Sequence, residues 1–425
     1  MTTVSIIGAG YVGLVTASGL AHLGHQVRVG EANPLRVEQL RNGGVPIFEA
    51  GLDNLFASVR EANRISFHTS NAEAVEGAEM VFLCLPTPSG SDGRADLQFV
   101  NEVIDELALT VQPETIFVVK STVPPGTTVG LRKRLADLGS TARLVSHPEF
   151  LREGTAVADF LQPDRVVVGA FDEVDGRAVA NLYSMLDVRI VTTDPTSAEM
   201  IKYASNSYLA ARLTFANALA NLSEAVGADI LDVLEGVGLD HRIGPHFLKP
   251  GPGYGGSCFP KDTEALIGVA ADAGYDFRLL KAVIEADDDQ RRRIASKVRS
   301  AAGGGLRGRR VAMWGLAFKA GTDDIRESPA VRIAALLREE GAEVCAYDPE
   351  ATAPDIENAP TPVEATRGAD VLLVVTEWPE FQAVDLNAVG EVMRGHRVVD
   401  ARNLLDPKAV RAAGLDYIGL GRPGA

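Results

Sequence analysis

The chain has 425 residues, 46% of them hydrophobic and 23% charged, an ordinary globular balance with length for about three domains. Its 57 Asp and Glu outnumber 41 Lys and Arg, giving a net charge of −16. Such a surface repels phosphate polymers and anionic membranes, so no nucleic acid and no membrane is expected as a partner, and a small anionic ligand would need a local basic pocket.

In chain order, residues 4–7 form a short apolar run that leads into Gly8-Ala9-Gly10-Tyr11-Val12-Gly13. An apolar helical pattern follows to about residue 24. Residues 27–30, 80–85, 115–120, 143–146 and 166–169 are further short apolar or β-branched runs, mostly separated by helical patterns. Buried strands alternating with helices predict a parallel sheet covered on both faces, over residues 1–195. Thr196-Ser197-Ala198-Glu199 fits a capping box, and a helical pattern then runs to about residue 226. Ile201, Ala204, Tyr208, Ala211, Phe215 and Leu219 line one stripe of it, and Leu209, Leu213, Ala216 and Ala220 another. A helix apolar on so much of its surface is expected to be buried, between domains or between subunits. Helical patterns at 230–237, 262–273 and 279–298 complete a central region over 196–302. Gly303-Gly304-Gly305 reads as a linker, and strand–helix alternation resumes over 303–425. The expected fold class is α/β, with two Rossmann-like doubly wound domains joined by a helical central region with a long helix.

Gly8-x-Gly10-x-x-Gly13 follows a strand and opens a helix. That arrangement turns the backbone tightly, lets it approach a pyrophosphate and aims helix N–H groups at the phosphates. A glycine turn that serves packing alone would look the same in isolation. Glu31 ends the second strand, where an acid bonds both ribose hydroxyls and repels a 2′-phosphate, so NAD is favoured over NADP. Arg36 has two readings, a contact to such a phosphate or a place along the adenosine. Gly315-Leu316-Ala317-Phe318-Lys319 opens the C-terminal sheet without the second and third glycines, so a dinucleotide would not fit there in the same way. Lys319 and Arg326, in FKAGTDDIRES, are cations for a different phosphate ligand or plain surface cations.

Of three cysteines, Cys84 in VFLCLP and Cys345 in VCAY read as small buried strand residues. Their number and spacing fit neither a disulfide scaffold nor a zinc site, and no metal is expected. Cys258 differs. It sits in Gly253-Tyr-Gly-Gly-Ser-Cys-Phe-Pro-Lys-Asp262, with glycines on one side for close ligand approach and Pro260 suited to a first helical turn on the other. A helix N-terminus and a nearby Lys261 both favour thiolate. A nicotinamide cofactor beside a reactive thiol suggests one chemistry. An alcohol loses hydride to give an aldehyde, the thiolate adds to form a thiohemiacetal, a second hydride leaves a thioester, and water releases an acid. Thr122 lies just past a strand, at the carboxyl-end crevice where such sheets bind ligands. Glu149 and Glu153 are four apart and share a face if helical. Lys202 and Asn206, also four apart, place a cation and an amide on an apolar helix, either as functional groups or as a satisfied core network.

The segments IIGAGYVGL, LPTP, KSTVPPGT, HPEFLREG followed by PDRVVVG, EMIKYASN, HRIGPHFLKPGPGYGGSCFPKD and GLAFKAGTDDIRESPA, in that order, resemble the UDP-glucose/GDP-mannose dehydrogenases over essentially the whole chain. The resemblance implies NAD-dependent four-electron oxidation of UDP-glucose to UDP-glucuronate. It implies Cys258 as the nucleophile, Lys202 and Asn206 as stabilisers of oxyanions, and Lys202 also as an aid to proton transfer. Asp262 would support the water and Lys202, and Glu149 and Thr122 would handle water and protons. Beside the glycine turn with Tyr11 and Val12, and beside Glu31 and Arg36, it implies cofactor contacts at Thr87, Thr122, Glu153 and Arg326. The sugar nucleotide would meet Glu149, Phe150, Leu151 and Arg152, as well as Lys202 and Asn206. It would also meet residues 247–255, among them Phe247, Tyr254 and Gly255, and the cations Lys319 and Arg402. Arg242 would reach a neighbouring subunit's substrate site, which implies a homodimer.

Three positions depart from the family pattern. Glu31 stands where Asp is commoner, His147 replaces Asn before Pro148 so that this loop is expected to be held differently, and Asp287 stands in place of Asn. The alternatives are a sibling acting on GDP-mannose or a UDP-N-acetylhexosamine, and a non-catalytic NAD-binding protein. The cytoplasm is the expected compartment, because MTTVSIIGAG lacks the features of a signal peptide and no run of about 18 apolar residues occurs. Cations in the motif segments, Lys249 and Lys261 with those named above, predict a basic crevice within an acidic shell.

Overall fold

The computed structural model describes residues 1–90 and 92–423. They form two compact units, Met1–Ser205 with Glu264–Gly274, and Asn206–Thr263 with Tyr275–Ala425.

The first unit is built on β1 (Thr3–Ile7), β2 (Gln26–Gly30), β3 (Ile65–His68), β4 (Met80–Leu83), β5 (Ile116–Val119), β6 (Arg143–Ser146), β7 (Val166–Ala170) and β8 (Ile190–Thr193). Their order across the sheet is β3-β2-β1-β4-β5-β6-β7-β8. Strands β4 and β5 are buried along their whole length, as helices on both faces require. The expected parallel sheet holds for six strands, but β7 pairs antiparallel with β6. A parallel return would have to cross the sheet face. Here the connection stays at the carboxyl end of β6, where its short helix Ala156–Leu161 packs on the helix Tyr11–His22. This keeps residues 147–153 at the end of the sheet where ligands bind.

The second unit is built on β9 (Arg310–Trp314), β10 (Glu343–Tyr347), β11 (Glu357–Asn358), β12 (Val371–Val374), β13 (Arg397–Asp400) and β14 (Asp416–Gly419), all parallel. Their order, β11-β10-β9-β12-β13-β14, repeats the order of the first six strands of the other sheet. The core centres on Trp314, whose ring stacks on Phe381 at 5.2 Å between centroids. Strands β3, β8, β11 and β14 lie outside the runs anticipated from sequence. They are short, and β8 and β11 bury none of their residues, so apolar periodicity marks them poorly.

The long helix runs Pro195–Val226 and contributes residues to both units. It does not start with the expected capping box. Asp194 accepts the Ser197 N–H at 3.0 Å ahead of Pro195, and proline favours a first helical position. Glu199 instead accepts the N–H groups of Gly126 and Thr128 at 2.6 and 2.8 Å, at the start of the helix Thr127–Asp137. The expected burial is also one-sided. Ala216 and Ala220 pack on Ile230 and Leu234, whereas Tyr208, Phe215 and Leu222 are 63%, 56% and 57% exposed.

Phe381 lies fully buried against Trp314, so Phe381→Ala is expected to cost about 3–5 kcal/mol by cavity formation. Denaturant unfolding checks this, and a loss under about 1 kcal/mol would contradict the packing described.

Candidate active site

Both ends of the first glycine turn are set by sterics. Gly8 has φ +101°, and its N–H donates to Gly30 O at 2.9 Å. A Cβ on Gly13 would lie 1.9 Å from Gly8 O, so the third glycine lets the helix approach the strand. A Cβ on Gly10 would meet nothing within 4 Å, which leaves the helix N-terminus an open cradle. Glu31 closes the other side. Its carboxylate accepts the Ala9 N–H at 3.1 Å and the Asn33 N–H at 2.8 Å. Arg36 lies 3.8 Å from Glu31, beside the acid that would repel a 2′-phosphate. An open cradle beside an acid at the end of β2 fits NAD. Val12 packs on the adjoining core. Tyr11 bonds the buried Glu49, which also takes the Gly154 and Ala156 N–H groups at 2.7 Å. The loop after β6 is thereby tied to the start of the first helix. Thr87 donates to Thr122 O at 2.9 Å, which brings together two predicted cofactor residues beyond β4 and β5.

Residues 147–152 are not helical, so Glu149 and Glu153 do not share a helix face. Glu149 points inward at 5% exposure, while Glu153 is half-buried in the turn that follows. Lys202, 4% exposed, donates to Glu149 Oε1 at 2.8 Å, and the Leu151 N–H donates to Oε2 at 2.6 Å. Burial alone would push this carboxyl up. Lys202, Lys120 and the Leu151 N–H together outweigh burial and hold it below the usual carboxylate range. The Phe150 ring carries Arg165 at 3.9 Å and Lys202 at 5.4 Å. Leu151 packs on the core, and Arg152 is exposed and bonded to Asp159.

In the second unit, Cys258 directly precedes the helix Phe259–Asp272, and its carbonyl accepts the Asp262 N–H at 2.8 Å. The thiol side is half-buried, whereas Cys84 and Cys345 are buried. Asp262 is fully buried. Its two oxygens take the Asn206 amide and the Lys261 ammonium, each at 2.6 Å. The glycine loop before Cys258 is held through its backbone. Tyr254 donates to Asp287 at 2.9 Å and accepts from Arg291 at 2.9 Å. A Cβ on Gly255 would meet Glu327 O at 2.4 Å. Asp287 pairs with Arg291, yet burial pushes its carboxyl up to about 6. Phe247 has φ +58° and its ring lies 6.4 Å from Phe259.

The expected basic crevice is largely neutralised within each unit. Lys202 meets Glu149, Lys261 meets Asp262, Arg242 meets Asp240, Arg326 meets Asp324 and Arg402 meets Glu377. Lys319 lies 5.6 Å from the Phe318 ring centre. An anionic ligand would therefore compete with existing carboxylates for these cations. Sequence reasoning gives Glu199 the wrong partner, its own helix start in place of Thr128, and it misses Lys120, which reads as the polar end of an apolar run. Among the described residues, no cluster of three or more His, Cys, Asp or Glu is placed to hold a metal, and no helix is long and apolar enough to cross a membrane.

Three family models match the chain, all of the UDP-glucose/GDP-mannose dehydrogenase family. The NAD binding domain matches residues 2–187, the central domain 196–289 and the UDP binding domain 312–407. A UDP-glucose 6-dehydrogenase of Rhizobium meliloti is 42% identical, with 99% of both chains covered. That of Pseudomonas aeruginosa is 41% identical, covering 99% of this chain and 97% of the relative. Among solved structures, a UDP-glucose dehydrogenase from Pyrobaculum islandicum superposes with a TM-score of 0.92 at 38% identity, covering 100% of this chain and 98% of the other. A UDP-D-ManNAc dehydrogenase from Pyrococcus horikoshii reaches 0.90 at 26% identity, with both chains fully covered.

The differing burial of the three thiols predicts that iodoacetamide alkylates Cys258 in the native protein well before Cys84 or Cys345. Peptide mass spectrometry over a time course checks this. Equal labelling of all three would contradict the arrangement.

Proposed function

The chain belongs to the UDP-glucose/GDP-mannose dehydrogenase family, and on that premise we propose that it oxidises UDP-glucose to UDP-glucuronate with two NAD per sugar. The observation that carries the reading is Cys258, a half-buried thiol at the start of a helix, beside an aspartate that already holds an amide and an ammonium. Mere cofactor binding needs none of those groups.

NAD, held by the glycine turn and Glu31, supplies a hydride acceptor for each oxidation when bound. Cys258 Sγ bonds to the carbon of the intermediate aldehyde. After the second oxidation that carbon is an acyl thioester, and water cleaves the C–S bond to release carboxylate and thiol. Glu149, kept ionised, is assigned to take the proton of the attacking water. Lys202 and Asn206 are assigned to donate to oxygens as negative charge develops on them. Asp262 aims the Asn206 amide, and Thr122 assists in moving protons. Phe150, Leu151, Arg152, Phe247, Tyr254, Gly255, Lys319 and Arg402 are assigned to the sugar nucleotide, and Thr87, Glu153 and Arg326 to the cofactor. The same reading includes a homodimer through the exposed stripe of Tyr208, Phe215 and Leu222, with Arg242 reaching the neighbouring copy, and a reducing, cytoplasmic compartment that keeps Cys258 as thiol.

Purified protein with limiting UDP-glucose is expected to form two NADH per sugar, and one or none would overturn the reading. GDP-mannose and UDP-N-acetylhexosamines in the same assay should be turned over more slowly. A faster rate on either would assign the chain to that substrate. Cys258→Ala is expected to lower turnover by about a thousandfold or more while leaving NAD affinity and melting temperature in place. Full activity in that variant would remove the thioester route.

A further inference from the structure

A second buried ammonium lies against His147, two residues before Glu149. Lys120 follows β5 and is 5% exposed. The sheet register explains its place. Val119 pairs with Ser146, and the His147 N–H donates to Val119 O at 2.9 Å, so Lys120 and His147 leave neighbouring strands side by side. Lys120 Nζ lies 3.2 Å from His147 Nε2. The other ring nitrogen fixes the tautomer. Nδ1 is 2.7 Å from Val167 O, which only accepts, so Nδ1 carries the hydrogen and Nε2 offers its lone pair. The Tyr183 hydroxyl at 2.7 Å and the Lys120 ammonium at 3.2 Å share that one lone pair. Burial, and then the charge of Lys120, keep the imidazole neutral. The rings of Phe82 and Tyr183 meet it edge-on and fix its aim.

Glu149 follows His147 by two residues, and its carboxylate feels both Lys202 and Lys120. Two other titratable groups face Lys120: Lys202, whose like charge adds to the downward push of burial, and Cys84 beyond β4, whose thiol burial pushes up to about 12, so it stays uncharged. An ammonium this deeply buried is retained where an anion and an acceptor both face it, and those are Glu149 and His147. We propose that Lys120, held against His147 two residues before Glu149, is a positioning residue that gives this carboxylate a standing countercharge while Lys202 turns its hydrogens toward substrate oxygen. The inference rests on the role assigned to Glu149.

Burial pushes Lys120 down to about 8, against the pull of Glu149, so the effect belongs below that pH. Lys120→Met keeps the stem and removes the charge. In it the acid limb of kcat/KM is expected to move up by about one pH unit, and Lys120→Arg is expected to restore most of the shift. An unmoved acid limb in folded Lys120→Met would overturn the proposal. If that variant does not fold, Lys120→Gln carries the same comparison. A second readout needs no sugar nucleotide. In a double-mutant cycle of unfolding, Lys120→Met and Glu149→Gln are expected to couple by about tenfold at pH 7, fading above pH 9. Additive effects at pH 7 would sink the assignment of Lys120 even if UDP-glucose is the substrate. Coupling without activity on UDP-glucose would instead sink only the substrate.

Discussion

Glu149 and Lys202 sit 2.8 Å apart, both nearly without solvent, and the arrangement of the first unit's site depends on that pair. Either charge alone in that position would be costly, because neither could recover its lost hydration. Removing one partner of such a pair typically costs about 3–5 kcal/mol, mostly through the charge left behind. The pair fixes the non-helical loop after β6 against the long helix. Glu199, one turn earlier on the same helix, repeats the device by capping the helix Thr127–Asp137. Buried carboxylates therefore dock this helix at two points. Directional contacts of this kind hold functional groups to tighter positions than apolar packing alone would.

The two sheets show one turn put to two uses. Gly8 and Gly315 have φ +101° and +103°, and each donates to the end of the neighbouring strand, Gly30 O and Tyr347 O. Each turn also faces an acid at the end of that strand. In the first unit Glu31 takes only the Ala9 N–H from the turn, and Gly10 stays open. In the second unit Asp348 takes the N–H groups of both Leu316 and Ala317 and also binds Trp378. That carboxylate consumes the donors that a pyrophosphate would need. The missing glycines of the second turn thus have a structural counterpart, a turn that satisfies itself.

Much of this was legible in the residues. The glycine turn, Glu31, Cys258 at a helix start and the Lys202–Asn206 spacing all rest on local sequence, and local sequence sets them. The misses share a different cause. The reversal of β7 depends on where a 19-residue connection runs, residues 147–165, which periodicity does not encode. Glu199 reads as a local cap because its partner in the fold, Thr128, lies 71 residues away. The apolar stripe of Tyr208 and Phe215 marks a surface that avoids water, but the pattern does not say whether the same chain covers it. Lys120 ends an apolar run, as a surface lysine would. Its burial follows from His147, 27 residues on, and from Glu149 beyond it.

The central claim is that Cys258 carries the sugar as an acyl thioester between the two oxidations. The most direct measurement is peptide mass spectrometry on protein quenched in acid during turnover with UDP-glucose and NAD. The account predicts that the peptide containing Cys258 gains the mass of a UDP-glucuronyl group through a bond that hydroxylamine cleaves. A Cys258 peptide that stays unmodified through turnover, or an adduct on another residue, would contradict it.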